Sequence, residues 1–169
     1  MMLPTLTSAR LRLRQATTND VDTLHALWID PAVRRFLWDD VAIPRAHAAA
    51  AIAGWSAAAA ACRLGLWVVE RLGDAALVGF VALLPYGGGP DAELLYGLAP
   101  AAWGQGLATE AAAVVLDWGL GPRGLARVVA RADVPNTASL RVMARLGMIR
   151  VGREAGPAGP LERWERARG

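Results

Sequence analysis

The fold of this chain is decided by the stretch Trp103-Gly104-Gln105-Gly106-Leu107-Ala108-Thr109-Glu110. It follows a predicted strand at 93–98 and opens a predicted helix from Thr109 to about Leu120. The first N–H groups of a helix lack partners within it and carry partial positive charge. Gly104, Gly106 and the small Ala108 let an anion approach them. The stretch therefore predicts either a pyrophosphate cradle built from backbone, without lysine or metal, or simply a tight strand-to-helix connection.

Periodicity and breakers place the other elements around this turn. Strands are expected at 11–14, 66–70, 77–84, 126–132, 149–153 and 161–166, with a hairpin turn at 72–74. Helices are expected from the caps at 18–20 to about Trp28, from Pro44 to about Cys62, and over 136–146, with a short helical turn toward Phe36. The order β-α-α-β-β-β-α-β-α-β-β predicts a mixed α/β fold, with residues 1–169 as one domain.

Composition excludes several classes of protein. No apolar run is long enough to cross a membrane, and the N-terminus lacks the apolar core of a secretory signal. One cysteine, Cys62, excludes an internal disulfide, and we expect a cytoplasmic protein. All 18 basic residues are arginine and the net charge is only +3. The high pI of about 10.0 therefore does not indicate nucleic acid as a partner, although the arginine-rich C-terminal region suits a phosphate-rich cofactor.

Four segments in a fixed order carry a family resemblance. They are 93–100 (ELLYGLAP), 103–111 (WGQGLATEA), 126–133 (ARVVARAD) and 136–148 (NTASLRVMARLGM). Together they resemble the GNAT superfamily of N-acetyltransferases, and the branch that acetylates ribosomal-protein N-termini in particular. The opening LRLR at 11–14 and the Asp30-Pro31 pair also resemble that branch, so the resemblance covers about residues 8 to 153.

The resemblance implies a cofactor site and a sheet geometry. The family sheet is mixed but mostly antiparallel and twisted, has helices on both faces, and splays at its centre between the 93–98 and 126–132 strands. Acetyl-CoA, without a metal, would lie in that splay, with its pantetheine arm paired near Leu98. Trp103 stands where the family commonly has Gln or Arg, which matters little if backbone makes the contacts. The implied cofactor residues are Leu98, Trp103, Gly104, Gln105, Gly106, Leu107, Ala108, Thr109, Asn136 and Ser139.

Catalytic candidates have structural alternatives. Asn136 and Ser139 sit where a helix N-cap and first turn are ordinary, while the resemblance puts both at the cofactor, with Ser139 near the sulfur. Glu93 is either a solvent-facing strand carboxylate or, by resemblance, a general base that works through a water.

The candidates for the acceptor site also allow both a functional and a structural interpretation. Trp38 and Trp67 suit either an acceptor pocket or the core, and Asp39 and Asp40 either attract a cationic amine or form a solvated loop. Both histidines and Cys62 are expected to be structural, because neither histidine has a metal-ligand spacing and Cys62 has no histidine nearby in sequence.

The function that the sequence predicts is transfer of acetyl from acetyl-CoA to an amine. The expected acceptor is a protein or peptide N-terminal α-amine, including that of a ribosomal protein. A small-molecule amine, such as an amino acid, polyamine or antibiotic, is the alternative within that class. A non-catalytic acyl-CoA-binding domain is the alternative outside it, and an RNA-binding domain ranks last because no aromatic–basic stacking motif is present. Monomer and homodimer stay open.

Overall fold

Within residues 2–169 the chain forms one sheet of eight strands, which lie in chain order except that the last strand sits inside the one before it. The computed structural model describes residues 2–169. The strands are β1 Leu6–Thr7, β2 Leu11–Gln15, β3 Gly65–Arg71, β4 Leu77–Pro85, β5 Ala92–Leu98, β6 Arg127–Asp133, β7 Ile149–Gly156 and β8 Gly159–Ala167. Neighbouring strands pair antiparallel except β5 and β6, which run parallel. The predicted mixed, mostly antiparallel sheet is confirmed.

The centre of the sheet is open. Strands β5 and β6 pair only at Ala92 with Val128 and Glu93 with Val129. Beyond Glu93, β5 continues to Leu98 with β4 on one side, and on the other side no strand of the described residues 2–169 pairs with it. The unpaired edge of β5 is therefore a wall of a V-shaped gap, as the resemblance implied.

Helices cover both faces, because strand residues alternate between two separate cores. The helices are α1 Val21–Ile29, α2 Pro31–Arg34, α3 Arg45–Cys62, α4 Leu107–Leu120 and α5 Thr137–Arg145. On one face α4 packs against Trp67, Leu83 and Leu94. On the other, α1 and α3 pack against Val68 and Ala82. This arrangement holds the start of α4 at the mouth of the gap.

Most element boundaries shift by about one residue from the prediction, and three regions differ by more. Strand β1 is missed, because two residues carry no periodicity. Helix α4 begins at Leu107, two residues earlier than expected, because Gly106 adopts φ +75° and turns the chain into the helix. The last two strands are longer than expected and form one hairpin over 149–167, closed at Gly156 and Gly159. Within residues 2–169, no helix is both long enough and apolar enough to cross a membrane.

Candidate active site

The turn before α4 presents a row of free backbone donors. Within residues 2–169, the N–H groups of residues 104–109 donate no hydrogen bond to the protein; the first that does is Glu110, to the Gly106 carbonyl at 3.1 Å. Gly104 and Gly106 have φ of +73° and +75°, a conformation that side chains disfavour. A Cβ on Gly104 would meet no protein atom within 4 Å. The donors therefore face open space, with the positive end of α4 behind them.

This turn is fixed from outside by Arg10, on the segment before β2. The guanidinium of Arg10 donates to the Gln105 carbonyl at 3.0 Å and to the Glu110 carboxylate at 2.7 Å. Ser8 Oγ donates to the same carboxylate at 2.7 Å. Burial alone would raise the pKa of Glu110, but the hydrogen bonds from Ser8 and Arg10 outweigh it and lower that pKa. Glu110 is thus an ionised anchor that keeps the turn in one shape.

Trp103 fixes the same turn to β5. Its indole N–H donates to the Leu98 carbonyl at 2.7 Å, at the open edge of the gap. The Gln105 side chain points back into the turn and donates to the Ala101 carbonyl at 3.0 Å. The tryptophan that departs from the family pattern therefore has a local role as a brace, and Gln105 offers the gap its backbone only.

Helix α5 forms the opposite wall. The Asn136 side chain caps this helix by accepting from the Ser139 N–H at 3.2 Å. Its amide NH₂ stays free to donate, because the oxygen takes the capping role. The hydroxyl of Ser139 lies 2.8 Å from the hydroxyl of Tyr96 on β5, which also donates to the Ser139 carbonyl at 3.1 Å. Burial raises the pKa of Tyr96 to about 12, so this phenol keeps its proton at neutral pH.

Between these walls lies a cleft of about 730 Å³. Its walls come from the end of α2 and the residues after it, from β4 and β5, from the turn, and from α5. The lining residues at the end of β5, on the turn and on α5 include Leu98, Trp103, Gly104, Gly106, Leu107, Ala108, Thr109, Asn136 and Ser139. Gln105, predicted with them, lines a second groove beside Arg10 instead. Among the lining residues that the structure describes, none is Asp, Glu or His, and three are arginine: Arg35, Arg141 and Arg145. The cleft is therefore cationic and has the size of a ligand site.

Glu93 does not reach this cleft. Its carboxylate receives two hydrogen bonds from Arg131, at 2.7 and 3.0 Å, and Arg131 also bonds Glu154 at 2.7 Å. On β5, Glu93 and Tyr96 lie an odd number of residues apart, so their side chains leave opposite faces of the sheet. The assignment of Glu93 as the base stays a prediction, and the structure places this carboxylate in an ion-pair network.

Neither tryptophan proposed for the acceptor pocket lines the cleft. Trp67 is 0% exposed, packs against Trp118, and donates its indole N–H to the Pro4 carbonyl. Trp38 stacks on Trp55 at 6.3 Å, in a cluster of aromatic rings. Both side chains therefore have packing roles, because their rings contact other aromatic rings and not the cleft.

The acidic pair Asp39 and Asp40 also lies outside the cleft, and Asp40 is bonded to Arg34 at 3.1 Å. His25 Nε2 bonds the Ile43 carbonyl, and the His47 ring lies 5.0 Å from that of Trp38. In residues 2–169, no group of three or more His, Cys, Asp or Glu side chains is arranged to hold a metal ion.

Sequence reasoning missed Arg10, Tyr96 and Arg35. Arg10 contacts residues about 100 positions away, which no local pattern reveals. Tyr96 could have been predicted from the sequence, because strand alternation puts it on the same face as Leu94 and Leu98, the face that α4 covers. Arg35 could not be told from its neighbour Arg34 in the sequence. In the structure α2 ends between them, so Arg34 is ion-paired whereas Arg35 lines the cleft.

Comparison with known proteins agrees with this geometry. The acetyltransferase (GNAT) domain model matches residues 10–149. The uncharacterized N-acetyltransferase p20 of Bacillus licheniformis is 29% identical over 154 residues, which are 89% of this chain and 85% of that protein. A GNAT-family acetyltransferase from Bacillus anthracis superposes with a TM-score of 0.85 at 22% identity, covering 98% and 99% of the two chains.

A ribosomal alpha-N-protein acetyltransferase in complex with coenzyme A superposes with a TM-score of 0.82 at 19% identity, covering 97% and 98%. At such identities the structural likeness shows the fold. The family model, which spans most of the chain, shows the family. This chain is therefore an N-acetyltransferase that belongs to the GNAT family.

Proposed function

We propose that this enzyme transfers acetyl from acetyl-CoA to the α-amine at the N-terminus of a peptide or protein. Two observations carry the proposal: the free N–H groups at 104–109, and the lack of any carboxylate or imidazole in the cleft wall formed by residues 2–169. The first feature suits a pyrophosphate. The second suits an amine that is partly neutral before it binds.

The residues of the turn fit the cofactor. Free N–H groups at a helix N-terminus bind phosphate oxygens without a lysine or metal. Arg141 and Arg145 add positive charge on the α5 wall, where neither forms an ion pair within residues 2–169. The unpaired edge of β5 that ends at Leu98 offers backbone groups to the amides of the pantetheine arm, although the Leu98 carbonyl already accepts from the Trp103 indole, and the Asn136 NH₂ offers a further donor. When bound, acetyl-CoA would supply an activated acetyl thioester.

Ser139 and Tyr96 are placed to stabilise the departing sulfur. The Ser139 hydroxyl donates one hydrogen bond, and Tyr96 can donate to Ser139 Oγ instead of the backbone carbonyl. With Tyr96 donating, the Ser139 proton is free to point at the thiolate. Because burial raises the pKa of Tyr96 to about 12, the phenol stays a donor throughout. The pair thus stabilises negative charge through oriented donors.

The choice of acceptor rests on the lack of a candidate general base among the cleft-lining residues of 2–169. An α-amine has a pKa of about 7.7–8.0, so roughly a tenth of it is neutral at pH 7. A lysine amine, with a pKa of about 10.4, is neutral in fewer than about one molecule in a thousand. A cleft without a carboxylate or histidine favours the first. The ribosomal alpha-N-protein acetyltransferase, which has the same fold, is named for acetylating an α-amine. N-termini of ribosomal or other cytoplasmic proteins are the acceptors we expect.

The test is an acceptor panel with acetyl-CoA and a thiol-release readout. It pairs short peptides bearing free or acetyl-blocked N-termini with spermidine and free amino acids. We expect turnover of the free peptides and none of the blocked ones. Turnover of spermidine or an amino acid alone would move the enzyme to the small-molecule class. Turnover of a blocked, lysine-containing peptide alone would contradict the α-amine assignment.

A further inference from the structure

The wall of the cleft opposite the turn and α5 is where the proposed acceptor would bind, and among residues 2–169 its one charged lining residue is Arg35. It caps the end of α2 and lines the cleft together with Ala32, Val33, Phe36 and Leu37, all of them apolar. Its guanidinium lies over the ring of Phe36, 5.3 Å from the ring centre. A single charge in an apolar wall determines what the wall attracts.

Most arginines outside the cleft are paired with a carboxylate, whereas those that line the cleft are not. Outside the cleft, Arg63, Arg123 and Arg168 also form no ion pair within residues 2–169, so what distinguishes Arg35 is that it is unpaired and lines the cleft. Arg34, next in sequence, is paired with Asp40, while Arg10 and Arg131 bond the carboxylates of Glu110 and Glu93. Within residues 2–169, Arg35 forms no ion pair and donates no hydrogen bond, and the same holds for Arg141 and Arg145. Arg141 and Arg145 stand on the cofactor wall. Arg35 lies on the opposite wall, away from the proposed cofactor site, and has no partner within residues 2–169.

We infer that Arg35 binds an anionic group of the acceptor, a carboxylate within the first three residues of the acceptor peptide. This inference rests on the proposed function and narrows it. It reverses the expectation that Asp39 and Asp40 attract a cationic acceptor, because neither lines the cleft and Asp40 is paired with Arg34. Guanidinium is the side chain best matched to a carboxylate, since its planar donors engage both oxygens. A polycation such as spermidine is repelled by the same wall.

The experiment compares isosteric peptide pairs. Ala-Asp-Ala-Ala is measured against Ala-Asn-Ala-Ala, and Ala-Ala-Asp-Ala against Ala-Ala-Asn-Ala, all with amidated C-termini. With the wild-type enzyme, we expect kcat/KM for an aspartate peptide to exceed that of its asparagine partner by about fivefold or more. The preference should weaken as salt is raised from 50 to about 300 mM, since salt screens partly exposed charges.

Variants assign the preference to Arg35. Arg35→Gln should remove the preference by raising the KM of the aspartate peptide and leave the KM of acetyl-CoA unchanged. Arg35→Glu should invert it toward Ala-Arg-Ala-Ala. Arg34→Gln, the same change one residue away and outside the cleft, should leave it intact.

Equal use of both members of each pair would overturn the inference and leave the proposed function standing. So would a preference that survives in Arg35→Gln, or a rise in the KM of acetyl-CoA in that variant. Failure of every peptide, with turnover of a small amine, would overturn the proposed function and the inference with it.

Discussion

The hydroxyl of Tyr96 lies 2.8 Å from the hydroxyl of Ser139, and this contact joins β5 to α5 across the open gap of the sheet. Tyr96 also donates to the backbone carbonyl of Ser139, so its single proton has two acceptors to choose between. Two hydroxyls that can exchange donor and acceptor roles suit a site where negative charge appears on a sulfur during reaction.

Removing either hydroxyl should slow acetyl transfer without releasing the cofactor. Ser139→Ala should lower kcat by about 10²-fold or more, and Tyr96→Phe by roughly tenfold, because it removes the second donor and keeps the ring. Steady-state kinetics give kcat, and calorimetric titration gives the Kd of acetyl-CoA, which should change less than threefold or so. Tyr86→Phe is the matched control, since Tyr86 packs on Arg131 outside the cleft. An undiminished kcat in both variants would refute this role.

A charge introduced into the turn should weaken the binding of acetyl-CoA. Gly106→Glu adds a negative charge to the turn and forces a side chain onto a residue with φ +75°, and its Cβ would lie 3.7 Å from the Arg10 guanidinium that holds the turn. Both effects disturb the free N–H groups, so the Kd of acetyl-CoA should rise at least about tenfold, or about 1.4 kcal/mol. Gly87→Glu controls for backbone strain, because Gly87 has a similar φ of +65° and lies outside the cleft. Gln105→Ala should leave the Kd unchanged, since this side chain points back into the turn. Equal affinity of Gly106→Glu and wild type, measured by calorimetry, would mean that the phosphates bind elsewhere.

The substitution Glu93→Gln distinguishes between two roles of this carboxylate, general base and structural ion-pair partner. A base acting through water would make this change cost about 10²- to 10⁴-fold in kcat and remove the acidic limb of the pH profile. Because the carboxylate is held by Arg131 on the other face of β5, we expect a loss below about tenfold, an unchanged pH profile and a lower Tm. The pH dependence of kcat/KM decides between the two roles.

The Arg10–Glu110 anchor should make stability depend on pH. The folded pKa of Glu110 is lowered, so its contribution is full above the unfolded pKa of about 4.3 and disappears as pH falls through the folded value. Wild type should melt roughly 2 to 4 °C above Glu110→Gln at pH 7. That gap should shrink steadily below about pH 4 in thermal melts. A gap of constant size from pH 7 to pH 3 would show that Glu110 acts by packing alone.

Local signals in the sequence were enough to predict the order of the strands and helices from β2 onward and the glycine-rich turn before α4, whereas the splayed sheet was expected from the family resemblance. The glycines at 104 and 106, the strand before them and the helix after them lie within about 25 residues, and short-range sterics decide their conformation. Helix α4 still began two residues early, because the positive φ of Gly106 completes the turn sooner than the pattern indicated.

Side-chain partners could not be predicted in the same way. Nothing near Glu93 in sequence shows that Arg131, on the neighbouring strand, takes its carboxylate. Likewise, Trp38 and Trp67 have the residue type of a pocket wall, and only their packing against Trp55 and Trp118 shows that they belong to the core. Such pairings depend on strand register, which the sequence determines only through the whole fold.

The most direct test of the central claim is where the acetyl group goes on one peptide that offers both amines. The peptide Ala-Asp-Ala-Lys-Ala, with a free N-terminus and an amidated C-terminus, is incubated with enzyme and acetyl-CoA at pH 7. Tandem mass spectrometry then locates the added acetyl on N-terminal or C-terminal fragment ions. The account predicts acetyl on the α-nitrogen of the first alanine and none on the lysine Nζ. Acetylation confined to the lysine would contradict it.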